Sequence, residues 1–449
     1  MFGPRPAFSG GIALPRREPR PGELAIRQMP FAPSLYLPLR QHAGSPAVAV
    51  VREGDEVVRG QLLADADVEK SVPLHAPATG RVLSIIEQPD PAGGTVAVIH
   101  LAPFPGDTQE YPGGPGCDPE TASAASLLAG IRAAGIVGLG GEARPTHARL
   151  RLPPGQRVGM LVLNGIESEP VFSRVPAILR EHAVDVLMGV RCLLKASGAG
   201  RAVLAVEQHD ADTAQSLLAA APAGLPLALR VLPARYPQGA EELLLRVISR
   251  APRRGSGGPV EDGALCFDLA TVAELGQLLA SGRCMTDQLV TLAGGALLDP
   301  GNYRIPLGTP LRFALEHAGL RPDPARVLLG GPMRGQALAS LDRSITKDTT
   351  GFVALDRNEA GMPEPPMPCI RCGECVAVCP VQLHPAQLGL LARKEELKAM
   401  HEEYHLDHCI ECGCCAYVCP SRIPLLQLFR AAKAQWRRRQ PAVAREDAA

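Results

Sequence analysis

Nine of the thirteen cysteines in this 449-residue chain lie between Cys369 and Cys419, and eight of them form one motif written twice. The first copy runs Cys369-Ile-Arg-Cys372-Gly-Glu-Cys375-Val-Ala-Val-Cys379-Pro380. The second runs Cys409-Ile-Glu-Cys412-Gly-Cys414-Cys415-Ala-Tyr-Val-Cys419-Pro420. Both have the spacing C-x2-C-x2-C-x3-C-P. Thiolates are soft ligands, and three at this spacing can wrap one face of an iron–sulfur cubane. The fourth lies beyond reach of that cubane and serves the other cluster. Cys369, Cys372, Cys375 and Cys419 are therefore expected to hold one 4Fe–4S cluster, and Cys409, Cys412, Cys415 and Cys379 the second. Such clusters pass single electrons.

Two rival chemistries share the residue type. Disulfide frameworks belong to short secreted chains. Tetrahedral zinc needs only two C-x2-C pairs, which leaves the third cysteine of each triplet and the Cys-Pro ending without a role. Cys414 fits no ligand position and reads as a bystander. Cys117, Cys192, Cys266 and Cys284 are scattered and read as small buried hydrophobes.

The elements that must position these thiols follow from the rest of the chain. Its length suits about three domains. Lys+Arg and Asp+Glu number 46 each, so no polyanionic partner is implied. Aromatics make up only 4%, which argues against a base-stacking nucleic-acid surface. No charged and apolar leader is visible, and no apolar run approaches the ~18–20 residues of a membrane span. Free thiols and clusters suit a reducing compartment. A cytoplasmic protein, soluble or peripheral to a membrane, is expected.

Residues 33 to 103 alternate apolar and polar positions between turn signals, as short strands do. Gly54-Asp55 is expected to turn a hairpin, since such turns need positive φ. Residues 121 to 280 read as α/β. Leu127 to Ala134 is helical and ends at Gly135. Val158 to Leu163 and Ala202 to Val206 are apolar runs suited to buried parallel strands. Val184 to Leu194 and Gln238 to Ser249 read as helices, and Arg250 to Pro259 as a connector. Short strands return between 285 and 345, and a Pro/Met/Glu linker spans Gly361 to Pro368. Pro385 to Tyr404 is helical, so the cysteine domain is expected to be all-α. Beyond Phe429 the chain reads as a polar, frayed tail.

With these segments in this order the chain resembles the C subunit of the Rnf complex, a membrane ferredoxin–NAD oxidoreductase that pumps ions. The likeness is carried by Phe8-Ser9-Gly10-Gly11-Ile12, Pro38 to Gly44, Pro145-Thr146-His147 and Asn164-Gly165-Ile166-Glu167-Ser168-Glu169-Pro170. It continues through Tyr236-Pro237-Gln238-Gly239, Gly330-Gly331-Pro332-Met333 and both cysteine motifs. The resemblance implies a multidomain architecture, α+β and α/β. An extension (1–32) precedes a barrel-sandwich hybrid (33–115), similar to lipoyl carriers. A flavin-subunit-like α/β domain (116–282), as in respiratory complex I, and a β-grasp domain (283–350) of the soluble-ligand-binding type follow. A linker (351–367), a two-cluster ferredoxin domain (368–430) and a flexible tail (431–449) complete it. Lys70 falls near the carrier lysine, but its neighbours do not match, and it reads as a solvated lysine. His42 and His75 read as structural.

The resemblance also implies FMN, NADH as substrate, and a cofactor site at Gly138, Gly140, Gly141, Glu167 and Glu169. Its implied partners are the other Rnf subunits, soluble ferredoxin and NAD(H), at the cytoplasmic face of the bacterial inner membrane, within a redox-driven translocase. The glycine loop departs from the family, because Glu142-Ala143-Arg144 stands where Ala-Gly-Phe is usual. Ser168 replaces a cysteine, Arg149 a lysine, and Asp268 an asparagine. Glu142 and Asp268 would repel an anionic cofactor. Three readings stay open: a flavin-bearing relay subunit, a relay adaptor without flavin, and a soluble reductase like the corrinoid reductases.

Overall fold

A four-stranded parallel sheet occupies the middle of the chain, in the order Leu227–Leu232, Arg201–Glu207, Met160–Gly165, Ala264–Asp268. The computed structural model describes residues 8–15, 25–66, 68–89, 94–141, 143–152, 156–167, 169–249, 263–361 and 364–439. Leu161, Val162 and Leu163 are wholly buried, as a central strand covered on both faces requires. The helices Ala183–Ser197 and Leu269–Ser281 lie on this sheet and pack against each other through two glycines. A Cβ at Gly189 would lie 1.9 Å from the Val272 carbonyl oxygen, and one at Gly276 1.9 Å from that of Asp185. The connector expected at Arg250 to Pro259 lies outside the described residues.

The barrel-sandwich unit has two antiparallel sheets. One has the order Leu35–Pro38, Thr95–Pro103, Gly80–Pro89, Glu56–Val57, and the other Val48–Ala49, Leu62–Asp65, Leu74–His75. Leu35, Leu37, Leu63, Val82, Ile99 and Leu101 fill the space between them. Gly54 has φ +91° as expected, yet its flanking strands do not pair with each other. Val48–Ala49 pairs with Leu62–Asp65 and Glu56–Val57 with Gly80–Arg81, so the turn carries the chain from one sheet to the other. Strands of two residues cannot support a hairpin of their own.

The β-grasp unit is a six-stranded sheet in the order Ile26–Gln28, Gly301–Pro306, Asp287–Ala293, Gly351–Leu355, Arg326–Leu329, Gln336–Ala337, with the helix Leu311–His317 on it. Two stretches read as extension and linker are thus strands. Ile26–Gln28 forms an edge, and Gly351–Leu355 lies inside the sheet, where Phe352, Val353 and Ala354 are buried. The described residues from 368 onward contain short helices and no strand. The last helix, Leu425–Arg439, runs well past Phe429. Ala432 is buried, and Trp436 stacks on His401 at 4.6 Å, so the apolar stripe continues where a frayed tail was expected. No helix among the described residues is long and apolar enough to cross a membrane.

The units meet around Lys347, which is wholly buried. Its Nζ donates to the carbonyls of Pro73 (2.9 Å) and Gly135 (2.7 Å), while its backbone N–H reaches Gln41 (3.2 Å). Burial pushes the ammonium down to about 7, the cost of a cation at a three-way junction.

Gly276→Ala should force the helices Ala183–Ser197 and Leu269–Ser281 apart, because the clash is with backbone. A loss of about 1–3 kcal/mol is expected. Calorimetry should register it as a lowered melting temperature, and an unchanged one would mean the helix crossing is looser than described.

Candidate functional site

The two cysteine loops share one backbone design. Left-handed φ recurs at Arg371 (+57°) and Glu411 (+53°), at Gly373 (+85°) and Gly413 (+80°), and at Gln382 (+58°) and Arg422 (+51°). Each bend turns the chain back, so that successive thiols face one space. A short helix follows in each copy, Glu374–Ala377 and Cys414–Tyr417. Cys369, Cys372, Cys375 and Cys419 line a cavity of about 710 Å³. The fourth cysteine of the second copy thus joins the first three of the first copy. Conversely, the charges felt most by Cys415 are those of Cys409, Cys412 and Cys379.

The thiols of the first set ring a space of their own. Among the described residues no three His, Cys, Asp or Glu side chains come close enough to hold a single ion. The space that Cys369, Cys372, Cys375 and Cys419 line is wide enough for a polynuclear cluster. Burial pushes the Cys409 thiol up to about 11, a cost that bound iron would offset by taking the thiolate. The Leu383 N–H donates to Cys379 Sγ at 3.2 Å, a bond of the kind that tunes cluster potentials. Cys414 is wholly buried, and its hydrogen bond to the Cys412 side chain holds that thiol down at about 7.

The two sets sit in different surroundings. Cys372 is exposed, and Ile370 beside it is 68% exposed. Cys412 is buried in an apolar seam with Ile12, Met333 and Cys414.

A cleft of about 280 Å³ opens at the C-terminal ends of the parallel strands, where open α/β sheets bind ligands. Gly138, Gly140 and Gly141 form one wall, and room for on the order of ten waters makes it a ligand-sized space. The loop is held from behind. Leu139 N–H donates to Thr271 Oγ1 (2.8 Å), and the buried Arg174 donates to the Leu139 carbonyl (3.3 Å). Glu142 and Ser168 lie outside the described residues. Asp268 caps its own helix by accepting from Ala270 N–H at 2.9 Å. Burial pushes its carboxyl up, and Arg174 offsets part of that. Arg144, Arg149, Arg334 and Arg430 line the cleft against the carboxylates of Glu169, Glu241 and Asp268. Four guanidiniums thus stand beside the carboxylates that an anion would meet there. Side-chain-free glycines facing several guanidiniums fit an anionic, planar cofactor.

Glu167 and Glu169 hold backbone. Glu167 accepts from Val175 N–H (3.1 Å), at the start of the helix Arg174–Glu181. Glu169 accepts from both Met333 (3.0 Å) and Arg334 (2.8 Å). A Cβ at Gly331 would lie 2.4 Å from the Glu169 side chain, which explains that glycine. Burial pushes Glu169 up to about 7. It lines the cleft and also a smaller cavity of about 80 Å³ that reaches Cys412.

Several residues joining cleft to thiols carry no role that their sequence context reveals. Tyr236 Oη donates to the Cys412 carbonyl (2.6 Å). Arg430 bonds both Glu411 (2.8 Å) and the Arg334 carbonyl (2.7 Å), and Lys433 donates to the Cys409 carbonyl (2.6 Å). The Tyr-Pro-Gln-Gly and Gly-Gly-Pro-Met runs were the available signal, but neither spacing nor periodicity assigns them a partner.

Comparison with known proteins matches every unit. Residues 6–103 match the RnfC barrel sandwich hybrid domain, 131–277 the Nuo51 FMN-binding domain, 289–337 the SLBB domain and 368–423 a 4Fe-4S dicluster domain. The chain is 40% identical, over 96% of its length, to the C subunit of the ion-translocating oxidoreductase complex of Pseudomonas aeruginosa, and spans 56% of that protein. It is 31% identical to the C subunit of the proton-translocating ferredoxin:NAD(+) oxidoreductase complex of Clostridium ljungdahlii, with 89% of this chain and 87% of that one aligned. Identity to the C subunit of the ion-translocating oxidoreductase complex of Rhodobacter capsulatus is 33%, over 98% and 85% of the two chains. Among solved structures, an NAD+-reducing NiFe-hydrogenase aligns with a TM-score of 0.51 at 17% identity, over 71% of this chain and 63% of that one. That likeness concerns the fold alone.

Cys379→Ala should strip iron from the set Cys409, Cys412 and Cys415 and spare the set that precedes it in sequence. Mössbauer or EPR spectra showing loss of the Cys369–Cys375 signal instead would refute the crossed arrangement.

Proposed function

This chain belongs to the RnfC family, and from that premise we propose that it is the peripheral electron-relay subunit of an ion-translocating oxidoreductase complex. In this reading Cys369, Cys372, Cys375 and Cys419 hold an outer 4Fe–4S cluster. Cys379, Cys409, Cys412 and Cys415 hold an inner one. FMN occupies the cleft walled by Gly138, Gly140 and Gly141, and NADH enters the same cleft as substrate. Glu169 shapes that cleft by clamping the backbone of residues 333 and 334, while Glu167 lines the smaller adjoining cavity and caps the helix Arg174–Glu181.

NADH gives up two electrons and a proton together, whereas each cluster takes one electron, and a flavin supplies the exchange between the two. The residues here supply placement. The observation that carries the reading is the shared wall: Glu169, Arg334 and Gly239 line both the cleft and the cavity beside Cys412. The inner cluster therefore adjoins the cleft, and the outer one adjoins the surface. Electrons pass between NAD(H) in the cleft and partner subunits or ferredoxin at the exposed end. In the same reading the chain docks on integral partners at the cytoplasmic face of the membrane.

A relay without flavin is the second reading, favoured by the Asp268 carboxylate in the cleft wall. Anaerobically purified protein separates the two. FMN near one per chain, bleached by NADH, is expected alongside iron and sulfide for two clusters. Iron and sulfide without FMN would favour the second reading, and zinc in place of iron would overturn both.

Asp268→Asn keeps a capping side chain and removes a buried negative charge from the cleft wall. FMN should bind about tenfold more tightly, ~1.4 kcal/mol. Fluorescence titration showing unchanged or weaker binding would mean that Arg174 already neutralises this carboxylate.

A further inference from the structure

Residues 9–12 lie against the cysteine domain, with Gln382 Nε2 donating to Ser9 Oγ at 3.2 Å across 373 positions of sequence. They form a strap between two units. Gly11 N–H donates to the Val378 carbonyl (2.8 Å), next to Cys379. On the other side Ile12 and Tyr236 exchange both backbone bonds at 2.9 Å, and Arg235 Nε donates to the Gly10 carbonyl (2.6 Å). The strap thus ties the peptide of Cys379 to the segment that donates a hydrogen bond to Cys412.

Two consecutive glycines make this passage possible. Gly10 has φ +78°, and a Cβ there would lie 2.7 Å from the Cys379 carbonyl oxygen. Gly11 has φ +71°, and its Cβ would lie 2.7 Å from the Tyr236 carbonyl oxygen. Both the left-handed turn and the close approach demand glycine. Beyond them Ile12, 8% exposed, packs into the seam with Met333, Cys412 and Cys414, and Leu14 lines the small cavity beside Cys412. Residues 9–14 therefore cover one side of the inner thiols. The outer set has Cys372 and Ile370 exposed.

We propose that residues 9–12 are a positioning and insulating strap for the inner cluster, fixing Cys379 against the flavin-like unit and keeping water from the sulfurs. The proposal rests on the two-cluster reading above. A reduced cluster carries one more negative charge than an oxidised one, and water stabilises that extra charge. Solvent exposure is one of the levers that set such potentials. Excluding water therefore holds the inner cluster's potential down, and admitting it raises the potential. Covering the inner cluster also leaves the outer one as the point where electrons meet partners.

The test is potentiometric titration of the full chain, prepared anaerobically, with EPR resolving the two clusters. Gly10→Ala lifts the strap, and Ile12→Ala keeps its backbone bonds but opens the seam. Gly54→Ala serves as control, since it has φ +91° with no heavy atom within 4 Å of its Cβ, in the barrel-sandwich unit. In both strap variants the inner cluster's reduction equilibrium should shift about tenfold toward the reduced form, ~59 mV for one electron. Its lifetime in air should shorten several-fold, while the outer cluster keeps both values. Gly54→Ala should change neither cluster. If Gly10→Ala does not fold, Ile12→Ala decides alone. An inner cluster unmoved in potential and lifetime, or both clusters shifting together, would overturn the proposal. An unmutated chain with iron for fewer than two clusters would instead overturn the reading beneath it, and the strap's role with it.

Discussion

Thiolates crowded into a buried space repel one another and lose their hydration, so a set of four is tolerable only where bound charge and fixed donors compensate. The inner set meets this constraint at a junction. Tyr236 comes from the parallel-sheet unit and Met333 from the β-grasp unit, while Lys433 and Arg430 come from the last helix. Glu169 binds these together from one side by accepting from the backbone of residues 333 and 334. Glu411 does so from the other, pairing with Arg430 and Lys433. Each contact that satisfies the thiols' surroundings also brings the cleft nearer to them. Placement of the cleft and burial of the inner set are thus a single packing problem.

The cleft follows from the same logic one layer out. Parallel strands end together, and their C-terminal ends leave loops whose backbone N–H groups face outward. Asp268 and Asn164 sit at two such ends. Asn164 donates to the Gly239 carbonyl (2.8 Å) and accepts from Ile166 N–H (3.2 Å), which sets the floor between them. Arg149 pairs with Glu241 at 2.5 Å and lies 5.0 Å over the Phe267 ring. A guanidinium held by a carboxylate and an aromatic face keeps its position whether or not an anion is present. Arg430 is held in the same way, by Glu411 and the Arg334 carbonyl. The cleft is positively lined, and these two cations need no ligand to stay in place.

How much of this was legible depends on the range of the interaction. The gathering of Cys419 with Cys369, Cys372 and Cys375 around one cavity is what the motif spacing leads one to expect, because a cubane restricts which thiols can reach it. The buried strands Met160–Gly165 and Arg201–Glu207 follow from continuous apolar runs. Gly351–Leu355 was missed because five apolar residues carry no period, and its partners lie dozens of positions away. The final helix was read as a tail because Arg437 to Arg439 dominate its composition, although Ala432 and Trp436 keep its apolar stripe. The sequence shows the type of Asp268, but its bond to Ala270 and its place beside Arg174 come only with the fold. The links from Tyr236 to Cys412 and from Ser9 to Gln382 span 176 and 373 residues, and no local pattern foretells them.

The barrel-sandwich unit takes its meaning from the same long-range contacts. A carrier lysine works from a hairpin tip free to swing, and Lys70 is exposed at such a tip. The tip itself is held down. Arg132 donates to the carbonyls of Ala66 (3.1 Å) and Val68 (3.3 Å), His147 bonds the Glu69 carbonyl (2.9 Å), and Arg151 pairs with the Glu69 carboxylate (2.5 Å). Gly44 lies so close that a Cβ there would be 2.0 Å from the Lys70 carbonyl oxygen. Three side chains and a close-packed glycine thus hold the tip against its neighbours. With Lys347 buried between Pro73 and Gly135, the unit acts as a bracket across the base of the parallel-sheet unit. The lipoyl-like shape here joins the parallel-sheet unit at its tip as well as at its base.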